Sequence, residues 1–217
     1  MSANIERNEF WANAGRQLRR PRGKLGWVLG HLMSVINWKP YQLAIGKLEI
    51  SASDAVLELG FGSGRGLKYL LELVPSGTVA AVDHSDVMLD MARRKNADAV
   101  RSHRLLLHQG SFSPLPYAND SFDHIVLVNV TYFFDRAGCD MGECYRVLKP
   151  GGQVVVYVTE RKTMETWPFC ENQTHRTFDR ADAVKMMKEA GFPFWHVASE
   201  NVTLPFGIHG LIITAMK

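Results

Sequence analysis

The residues best suited to chemistry lie in one stretch, where an apolar run meets a cluster of glycines. The sequence reads VLELGFGSGRG from residue 56 to residue 66, with glycine at every second position from Gly60 to Gly66. Glycine has no Cβ, so the backbone can adopt left-handed geometry and a ligand can approach it closely. A helix follows directly, and its N-terminus offers free N–H groups and a positive dipole end. The stretch predicts a strand, a turn and a helix that hold a carboxylate or phosphate.

An acidic residue follows where a bound ribose would need it. Asp83 ends the next predicted strand, and a carboxylate there can accept two charge-assisted hydrogen bonds from ribose hydroxyls. The alternative is that Asp83 caps the helix that begins after Ser85. A nicotinamide dinucleotide is disfavoured because the third glycine of a G-x-G-x-x-G motif would fall on Arg65 or Leu67.

The elements that position these residues alternate between strand and helix from Asp54 onward, which is typical of a mostly parallel sheet covered by helices. The predicted strands lie near residues 55–59, 78–82, 105–108, 122–130, 153–158, 195–202 and 210–216. No helix separates the last two strands, so we expect them to pair antiparallel at one edge of the sheet.

Composition limits the class of protein. The chain has 217 residues, of which 46% are hydrophobic and 22% charged, and this is the mixture of one globular domain. The net charge of +3 is too small to indicate a nucleic-acid partner, and no RNA-binding module is evident, so RNA as a substrate is disfavoured. The N-terminus has no apolar signal core and no apolar run approaches the ~20 residues of a membrane span. We therefore predict a cytoplasmic protein.

Three cysteines, Cys139, Cys144 and Cys170, are present without a C-x-x-C pair. This pattern predicts free thiols in a reducing compartment and no metal site. Thiolate ligation of arsenic is disfavoured because Cys139 and Cys144 fall within one predicted helix and share no evident site with Cys170.

Five stretches resemble the class I S-adenosylmethionine-dependent methyltransferases, and within them the small-molecule branch. In chain order they are VLELGFGSGRG at 56–66, VDHSDVMLDMARR at 82–94, LPYANDSFDHIV at 115–126, ECYRVLKPGG at 143–152 and MKEAGF at 187–192. They follow the family's order and spacing. The resemblance implies a Rossmann-like α/β fold: a seven-stranded, mostly parallel sheet with helices on both faces and an antiparallel C-terminal strand.

The resemblance also implies S-adenosylmethionine as the cofactor and assigns residues to it. Positions that match the family's motif for the methionine part are Glu58, Gly60, Gly62 and Gly64. Asp83 matches the ribose-binding acid, and His84 and Met88 match positions that flank the adenine. Asn129 and Val130 close the cofactor site at the end of the fourth strand.

One part of the adenine site departs from the family's pattern. Gly110 and Ser111 lie where the family often has Gly-Asp against the adenine amino group. The serine hydroxyl here can still accept one hydrogen bond. Phe112 is expected to stack beside the ring.

The methyl acceptor is expected above the end of the fourth strand. Methyl transfer from a sulfonium is an in-line displacement, so the protein mainly aligns the reactants and excludes water. Asn129 and Tyr132 have the spacing of the Asn-Pro-Pro-Tyr motif of some amino-group methyltransferases, without its prolines. On that hypothesis Asn129 orients a nitrogen lone pair and Tyr132 covers the cationic methyl group. The alternative is that Asn129 ends a strand and Tyr132 packs in a loop.

A second part of the acceptor site is predicted in the stretch from Glu160 to Phe178, which shows little regular pattern and is long for a connection. Trp167, Phe169 and His175 are the side chains that we expect near an acceptor. His175 is a candidate general base, with an exposed loop histidine as the alternative.

Residues 1–50 stand apart from the methyltransferase domain at 51–217. Leu25, Val28, Leu29, Leu32 and Ile36 form an apolar stripe at helical spacing, after a lead-in rich in arginine. The interpretations are a helix packed over the domain, a lid over the acceptor pocket, or a contact with anionic lipid.

The predicted function is N- or O-methylation of a small molecule. The alternatives are a lipid head-group methyltransferase at an anionic membrane surface and a non-catalytic cofactor-binding scaffold. The oligomeric state stays open.

Overall fold

The computed structural model describes residues 11, 15, 17, 18, 21–170 and 175–217. Its strands form one sheet in the order β3-β2-β1-β4-β5-β7-β6. They are β1 (Ala55–Leu59), β2 (Thr78–Asp83), β3 (Leu105–Gln109), β4 (Phe122–Val128), β5 (Leu148–Thr159), β6 (Val197–Leu204) and β7 (Ile208–Met216). Strands β1 to β5 pair in parallel, while β7 runs antiparallel to both β5 and β6. This topology confirms the Rossmann-like fold and the C-terminal hairpin.

Helices cover both faces of the sheet. They are α1 (Gly23–Ile36), α2 (Trp38–Ile45), α3 (Arg65–Leu73), α4 (Asp86–Lys95), α5 (Ala97–Arg101), α6 (Cys139–Val147), α7 (Arg161–Met164) and α8 (Arg180–Glu189). Helices α2, α3 and α4 contribute to one buried apolar cluster, and α6 and α8 to a second. Alternate residues of β1 divide between them, with Val56 in the first and Leu57 and Leu59 in the second, because successive strand residues point to opposite faces.

Local signals begin two of the helices where the sequence places them. The Ser85 side chain accepts a hydrogen bond from the backbone N–H of Met88 and so caps α4. Asp179 and Asp182 form a reciprocal capping box at the start of α8. Asp83 is therefore not the capping residue of α4.

Strand ends depart from the sequence-based bounds by two residues in β4 and β6 and by five at the start of β5, which begins at Leu148. Strand β4 ends at Val128 because Asn129 adopts a left-handed backbone conformation with φ of 54°. Strand β6 begins at Val197, after a short 3-10 turn over Phe194–His196. The stretch from 160 to 178 contains helix α7 and so has more regular structure than its sequence pattern indicates.

Helix α1 turns its large apolar residues outward. Leu25, Val28, Leu32 and Ile36 are each about half exposed, and Leu29 is partly exposed. The stripe is therefore not the face through which α1 packs most closely. Gly30 of α1 packs against Met88 of the domain and Gly26 packs against Pro21, and both glycines are buried.

Candidate active site

A cavity of about 550 Å³ opens beyond the carboxyl ends of β1 and β4. The strand order reverses between these two neighbours, and ligands of open α/β sheets bind at such a point because the loops diverge there. All the predicted site residues line this cavity except Gly64, Gly110 and Ser111. Residues far apart in the chain thus meet in one place.

The glycine turn lies at the floor of the cavity and uses each glycine differently. Gly60 has φ of 73°, and a Cβ on it would lie 2.5 Å from Cγ2 of Val130. Gly62 has φ of 52°, with no atom within 4 Å of a Cβ placed there, so ligand atoms can approach its backbone. Gly64 caps α3 in a left-handed conformation, and its added Cβ would lie 2.6 Å from Cβ of Ala92. Gly64 therefore serves helix packing beside the site.

Asp83 organises the turn through hydrogen bonds. Its Oδ2 accepts from the N–H of Gly62 at 3.0 Å, and its Oδ1 accepts from the N–H of Ser85 at 2.9 Å. The N–H of His84 also acts on this carboxylate. A carboxylate has about four acceptor positions in all, so it keeps the capacity to accept from a ribose hydroxyl. Burial raises the pKa of Asp83 to about 6, although the backbone N–H donors oppose that shift.

Glu58 forms a buried pair with a residue that sequence reasoning missed. The hydroxyl of Tyr41, on α2, donates to Oε2 of Glu58 at 2.8 Å. Burial raises the pKa of Glu58 to about 8, and the hydrogen bond from Tyr41 partly opposes this. The ring of Tyr41 fits here because residue 66 is glycine, where a Cβ would lie 2.4 Å from Cζ of that ring.

The predicted adenine side is aromatic. The rings of His84 and Phe112 lie 4.3 Å apart between centroids, and Phe134 packs 5.5 Å behind Phe112. Ser111 is exposed and donates its hydroxyl proton to the carbonyl of Ser113 at 2.9 Å. The N–H of Gly110 donates to the carbonyl of Asp83 at 3.1 Å. Gly110 and Ser111 thus lie at the border of the cavity, one supporting the end of β2.

A hydrogen-bonded chain crosses the end of β4. The Tyr132 hydroxyl donates to Oδ1 of Asn129 at 2.6 Å, and the N–H of Thr159 donates to the same hydroxyl at 2.5 Å. Nδ2 of Asn129 donates to Oδ1 of Asn37 at 2.9 Å. Burial raises the pKa of Tyr132, so its phenol stays protonated at neutral pH. This chain and the left-handed backbone of Asn129 hold the loop above β4 in one geometry.

Described residues of the stretch from 160 to 178 line the cavity, among them Trp167, Phe169 and His175. The rings of Trp167 and Phe169 stack at 5.5 Å, and the ring of His175 lies 5.0 Å from that of Phe133. His175 is 5% exposed. The alternative of an exposed loop histidine is therefore wrong.

The N-terminal helices supply further cavity residues that carry no recognisable motif. The Arg65 guanidinium lies 4.2 Å from the centre of the Trp38 ring and donates to the carbonyl of Ser34 at 3.2 Å. The Ser85 hydroxyl donates to the carbonyl of Pro21 at 2.6 Å. These contacts form only in the tertiary structure. In the sequence, only the two aromatic residues Trp38 and Tyr41 hint that this segment borders the cavity.

The described residues contain no group of three or more His, Cys, Asp or Glu side chains that could hold a metal ion. Among the three cysteines, Cys170 is the one that lines the cavity, while Cys139 and Cys144 lie on α6. Within the described ranges, no helix has both the length and the apolar character that a bilayer span requires.

Comparisons with known proteins agree with this geometry. A family model described as a methyltransferase domain matches residues 57–156. An uncharacterised methyltransferase of Bacillus subtilis, YdaC, is 28% identical over 135 residues, which are 62% of this chain and 72% of that protein. A demethylmenaquinone methyltransferase of Lactobacillus johnsonii is 35% identical over 118 residues, or 54% of this chain and 48% of the relative. The chain thus spans about half the length of that relative.

A solved structure extends the likeness in fold. The putative methyltransferase of Haloferax volcanii, in complex with its Trm112 activator, superposes with a TM-score of 0.73 at 20% identity. The match covers 88% of this chain and 93% of that one. The sheet order, the glycine turn with Asp83 at the switch point, and the matching family model lead to one conclusion. The chain belongs to the class I S-adenosylmethionine-dependent methyltransferases, a family of enzymes that take their methyl group from S-adenosylmethionine.

Proposed function

We propose that this protein transfers a methyl group from S-adenosylmethionine to a nitrogen or oxygen atom of a neutral, largely apolar small molecule. The observation that carries the proposal is the single cavity that runs from the glycine turn to an aromatic end. Its aromatic end is lined by Phe133, Tyr157, Trp167 and Phe169. Such side chains bind flat apolar molecules and exclude water from the reaction.

The cofactor end fits S-adenosylmethionine on three grounds. Gly62 leaves open space for backbone contact, Asp83 has lone pairs for ribose hydroxyls, and the His84–Phe112 pair offers an aromatic surface for a purine. The bound cofactor supplies a methyl group on a positively charged sulfur, which departs as a neutral thioether when the acceptor attacks in line.

The charge of the cavity argues against phosphorylated acceptors. Among the described residues that line it, Arg65 is the one Lys or Arg, and that guanidinium already contacts Trp38 and Ser34. A phosphate in this place would lose its water without gaining a dedicated partner. The lipid head-group alternative is therefore less well supported than an apolar acceptor. The demethylmenaquinone methyltransferase relative, whose named substrate is an apolar aromatic molecule, agrees with this choice.

We assign separate roles at the acceptor end. Tyr132 and Asn129 hold the loop that faces the methyl group, and the ring of Tyr132 borders the path of the transfer. His175 lies beside Phe133 and accepts the proton when the acceptor is a hydroxyl group. An amine acceptor that reacts as the free base does not need this step.

Residues 1–50 act as a cover of the acceptor site in this proposal, and residues 51–217 as the catalytic domain. Helix α2 contributes Tyr41 to the cofactor end, and Asn37 contacts the loop above β4. An apolar acceptor also partitions into membranes, so a peripheral membrane contact is part of the proposal. We retain the prediction of a cytoplasmic protein.

The test is a methyl-transfer assay with a panel of phenols, hydroquinones, amines and phosphorylated amines, read by formation of S-adenosylhomocysteine. We expect turnover with apolar aromatic acceptors and none with phosphorylated amines. Trp167→Ala should raise KM for the acceptor roughly tenfold, since it removes a large apolar contact, and should leave cofactor affinity unchanged. Cofactor binding without turnover of any acceptor would favour the non-catalytic scaffold.

The proposed role of His175 in proton transfer is tested separately, by the pH dependence of kcat. With a hydroxyl acceptor, His175→Asn should lower kcat and abolish the acid limb of its pH profile. An unchanged profile would rule out proton transfer to His175. A Trp195→Ala variant, changed at an exposed residue outside the cavity, serves as the control.

A further inference from the structure

We propose that helix α1 docks the protein on bilayers that contain anionic phospholipids and holds the mouth of the cavity against the membrane. This inference rests on the proposed function in that the docked surface delivers an apolar acceptor to the cavity. The surface is the outer stripe of α1, defined as Leu25, Val28, Leu32 and Val35. The occupant is a phospholipid surface rather than a second protein.

Leu25, Val28 and Val35 of the outer stripe face away from the domain, and Leu32 borders the cavity. The residues of the stripe are spaced three and four apart, so they lie on one side of the helix. Their exposed fractions range from 50% at Leu32 to 66% at Val35. A helix that packs on a globular domain normally buries such residues and exposes polar ones.

Helix α1 approaches α4 most closely at a glycine, where a Cβ on Gly30 would lie 2.5 Å from Cε of Met88. On the same side of α1, Leu29 and Met33 line the cavity. The helix therefore packs on α4 through Gly30 and presents Leu25, Val28 and Val35 outward. This arrangement is the reverse of a core-facing helix.

Charge is segregated in the same part of the chain. The stretch from Phe10 to Leu48 contains seven Lys and Arg residues and no Asp or Glu, whereas the remaining residues hold 18 basic and 22 acidic side chains. An exposed apolar stripe within a purely basic stretch is the composition of helices that lie in the interface of anionic membranes. Each Lys or Arg near such a surface strengthens binding roughly fivefold.

The same charge disfavours the other occupants of the stripe. A second copy of the chain would bring two basic stretches together, and like charges across an interface oppose association. Residues that precede Pro21 include Arg16, Arg19 and Arg20, which share the sign of Arg22. An anionic surface is the partner with complementary charge.

The position of the stripe connects it with the cavity. Leu32 is both half exposed and part of the cavity lining, as is Ile36 one turn further along. On the other side of the mouth the cavity is lined by Leu204 and Ile208, which flank the fully exposed Phe206 of the β6–β7 turn. An apolar acceptor can thus pass from bilayer to cavity along apolar side chains.

The experiment measures binding of the full chain to vesicles by flotation. One set contains phosphatidylcholine alone, and the other replaces part of it with phosphatidylglycerol. We expect binding to the anionic set that weakens as salt is added, because salt screens the attraction. No binding of the unaltered protein to anionic vesicles would overturn the proposal.

Two variants separate the apolar and the charged contributions. Leu25→Gln with Val28→Gln should lower vesicle affinity roughly tenfold or more, since two exposed apolar side chains no longer enter the interface. Arg16→Gln with Arg19→Gln and Arg20→Gln should lower it about a hundredfold. The matched control, Leu106→Gln with Trp195→Gln, changes two other exposed apolar residues and should bind like the unaltered protein.

Leu25 and Val28 do not line the cavity, so their double variant should bind S-adenosylmethionine normally and confirm an intact fold. Equal vesicle binding by this variant and the control would overturn the docking surface. A change of oligomeric state in the variant, without loss of vesicle binding, would assign the stripe to a second copy and overturn it as well. Vesicle binding without turnover of any apolar acceptor would refute the proposed function and leave the docking surface standing.

Discussion

The cofactor end of the cavity is built mainly from backbone, whereas the acceptor end is built from side chains contributed by distant segments. At the cofactor end, one turn of eleven residues and the acid that follows it shape the site, and Asp83 ties the two together through the N–H of Gly62. At the acceptor end, Asn37, the loop that holds Asn129 and Tyr132, and Thr159 belong to three separate segments of the chain. A cofactor end formed by backbone suits a ligand that a whole family shares. An acceptor end formed by side chains allows the acceptor specificity to change by substitution.

The largest effect is expected at Asp83, where the comparison is sharpest. Asp83→Ala removes the acceptor of the Gly62 and Ser85 backbone N–H groups and of the ribose hydroxyls that we propose Asp83 binds. The affinity for S-adenosylmethionine should fall about a hundredfold or more, as charge-assisted hydrogen bonds contribute ~1.5–3 kcal/mol each. Calorimetric titration measures it. Asp86→Ala, which removes an exposed acid three residues on, is the control, and equal affinities for the two variants would contradict the assignment.

The next largest effect is the pH dependence of the free energy of unfolding, which Glu58 causes at the cofactor end. The pKa of Glu58 is raised to about 8 from an ordinary 4.5. Between these two pH values, the Glu58 carboxyl is protonated in the folded protein and ionised in the unfolded chain. This stabilisation is fully present below the unfolded pKa and is lost as pH rises toward 8. The free energy of unfolding of the cofactor-free protein should therefore decline over this window, by on the order of a few kcal/mol.

Denaturant titrations between pH 5 and 9 (about the window set by these pKa values) test this decline. Glu58→Gln should flatten the profile because it removes the titrating group. Tyr41→Phe should move the decline to higher pH, since it removes the hydrogen bond that lowers the pKa of Glu58. A steep decline that survives in Glu58→Gln would show that another group causes it.

A smaller effect is expected at Tyr132, which tests whether the acceptor end is separable from the cofactor end. Tyr132→Phe leaves Oδ1 of Asn129 and the N–H of Thr159 without this partner, at a cost of ~1–3 kcal/mol of stability per buried group. We expect kcat to fall roughly tenfold as the loop loses its geometry, with cofactor affinity within about twofold of normal. Tyr117→Phe, at a tyrosine outside the cavity, is the control. A large loss of cofactor affinity in Tyr132→Phe would show that the two ends are one unit.

The smallest effect is expected at Ser111, on the border of the cofactor end. Its hydroxyl already donates to Ser113, and the residue is exposed. Ser111→Ala should change cofactor affinity by less than about twofold, as a solvated hydrogen bond contributes little. A loss of fivefold or more, measured by the same titration, would instead establish the contact with the adenine amino group that the family resemblance implies.

The sequence signals at the cofactor end are local. The alternating glycines, Asp83 and the strand–helix alternation depend on residues close together in the chain. The sheet order confirms the alternation, and Gly60, Gly62, Gly66 and Asp83 line one cavity, whereas Gly64 does not. The predicted ends of the strands were less accurate where tertiary structure overrides the local pattern. At Asn129, for example, a left-handed backbone ends β4 early. The sequence predicted an apolar stripe on α1. It did not predict that much of this stripe faces outward, because that depends on the close approach of Gly30 to α4.

The sequence by itself determined the fold class and the place of the glycine turn, because both follow from periodicity and short-range spacing. The cofactor followed from the resemblance of the sequence motifs to the methyltransferase family. Tertiary structure alone decided that Tyr41 pairs with Glu58, that Asn37 holds Asn129, and that His175 is buried beside Phe133. These contacts join residues 17 or more positions apart in the chain. No local pattern encodes them, since they form only when separate segments meet across the end of the sheet.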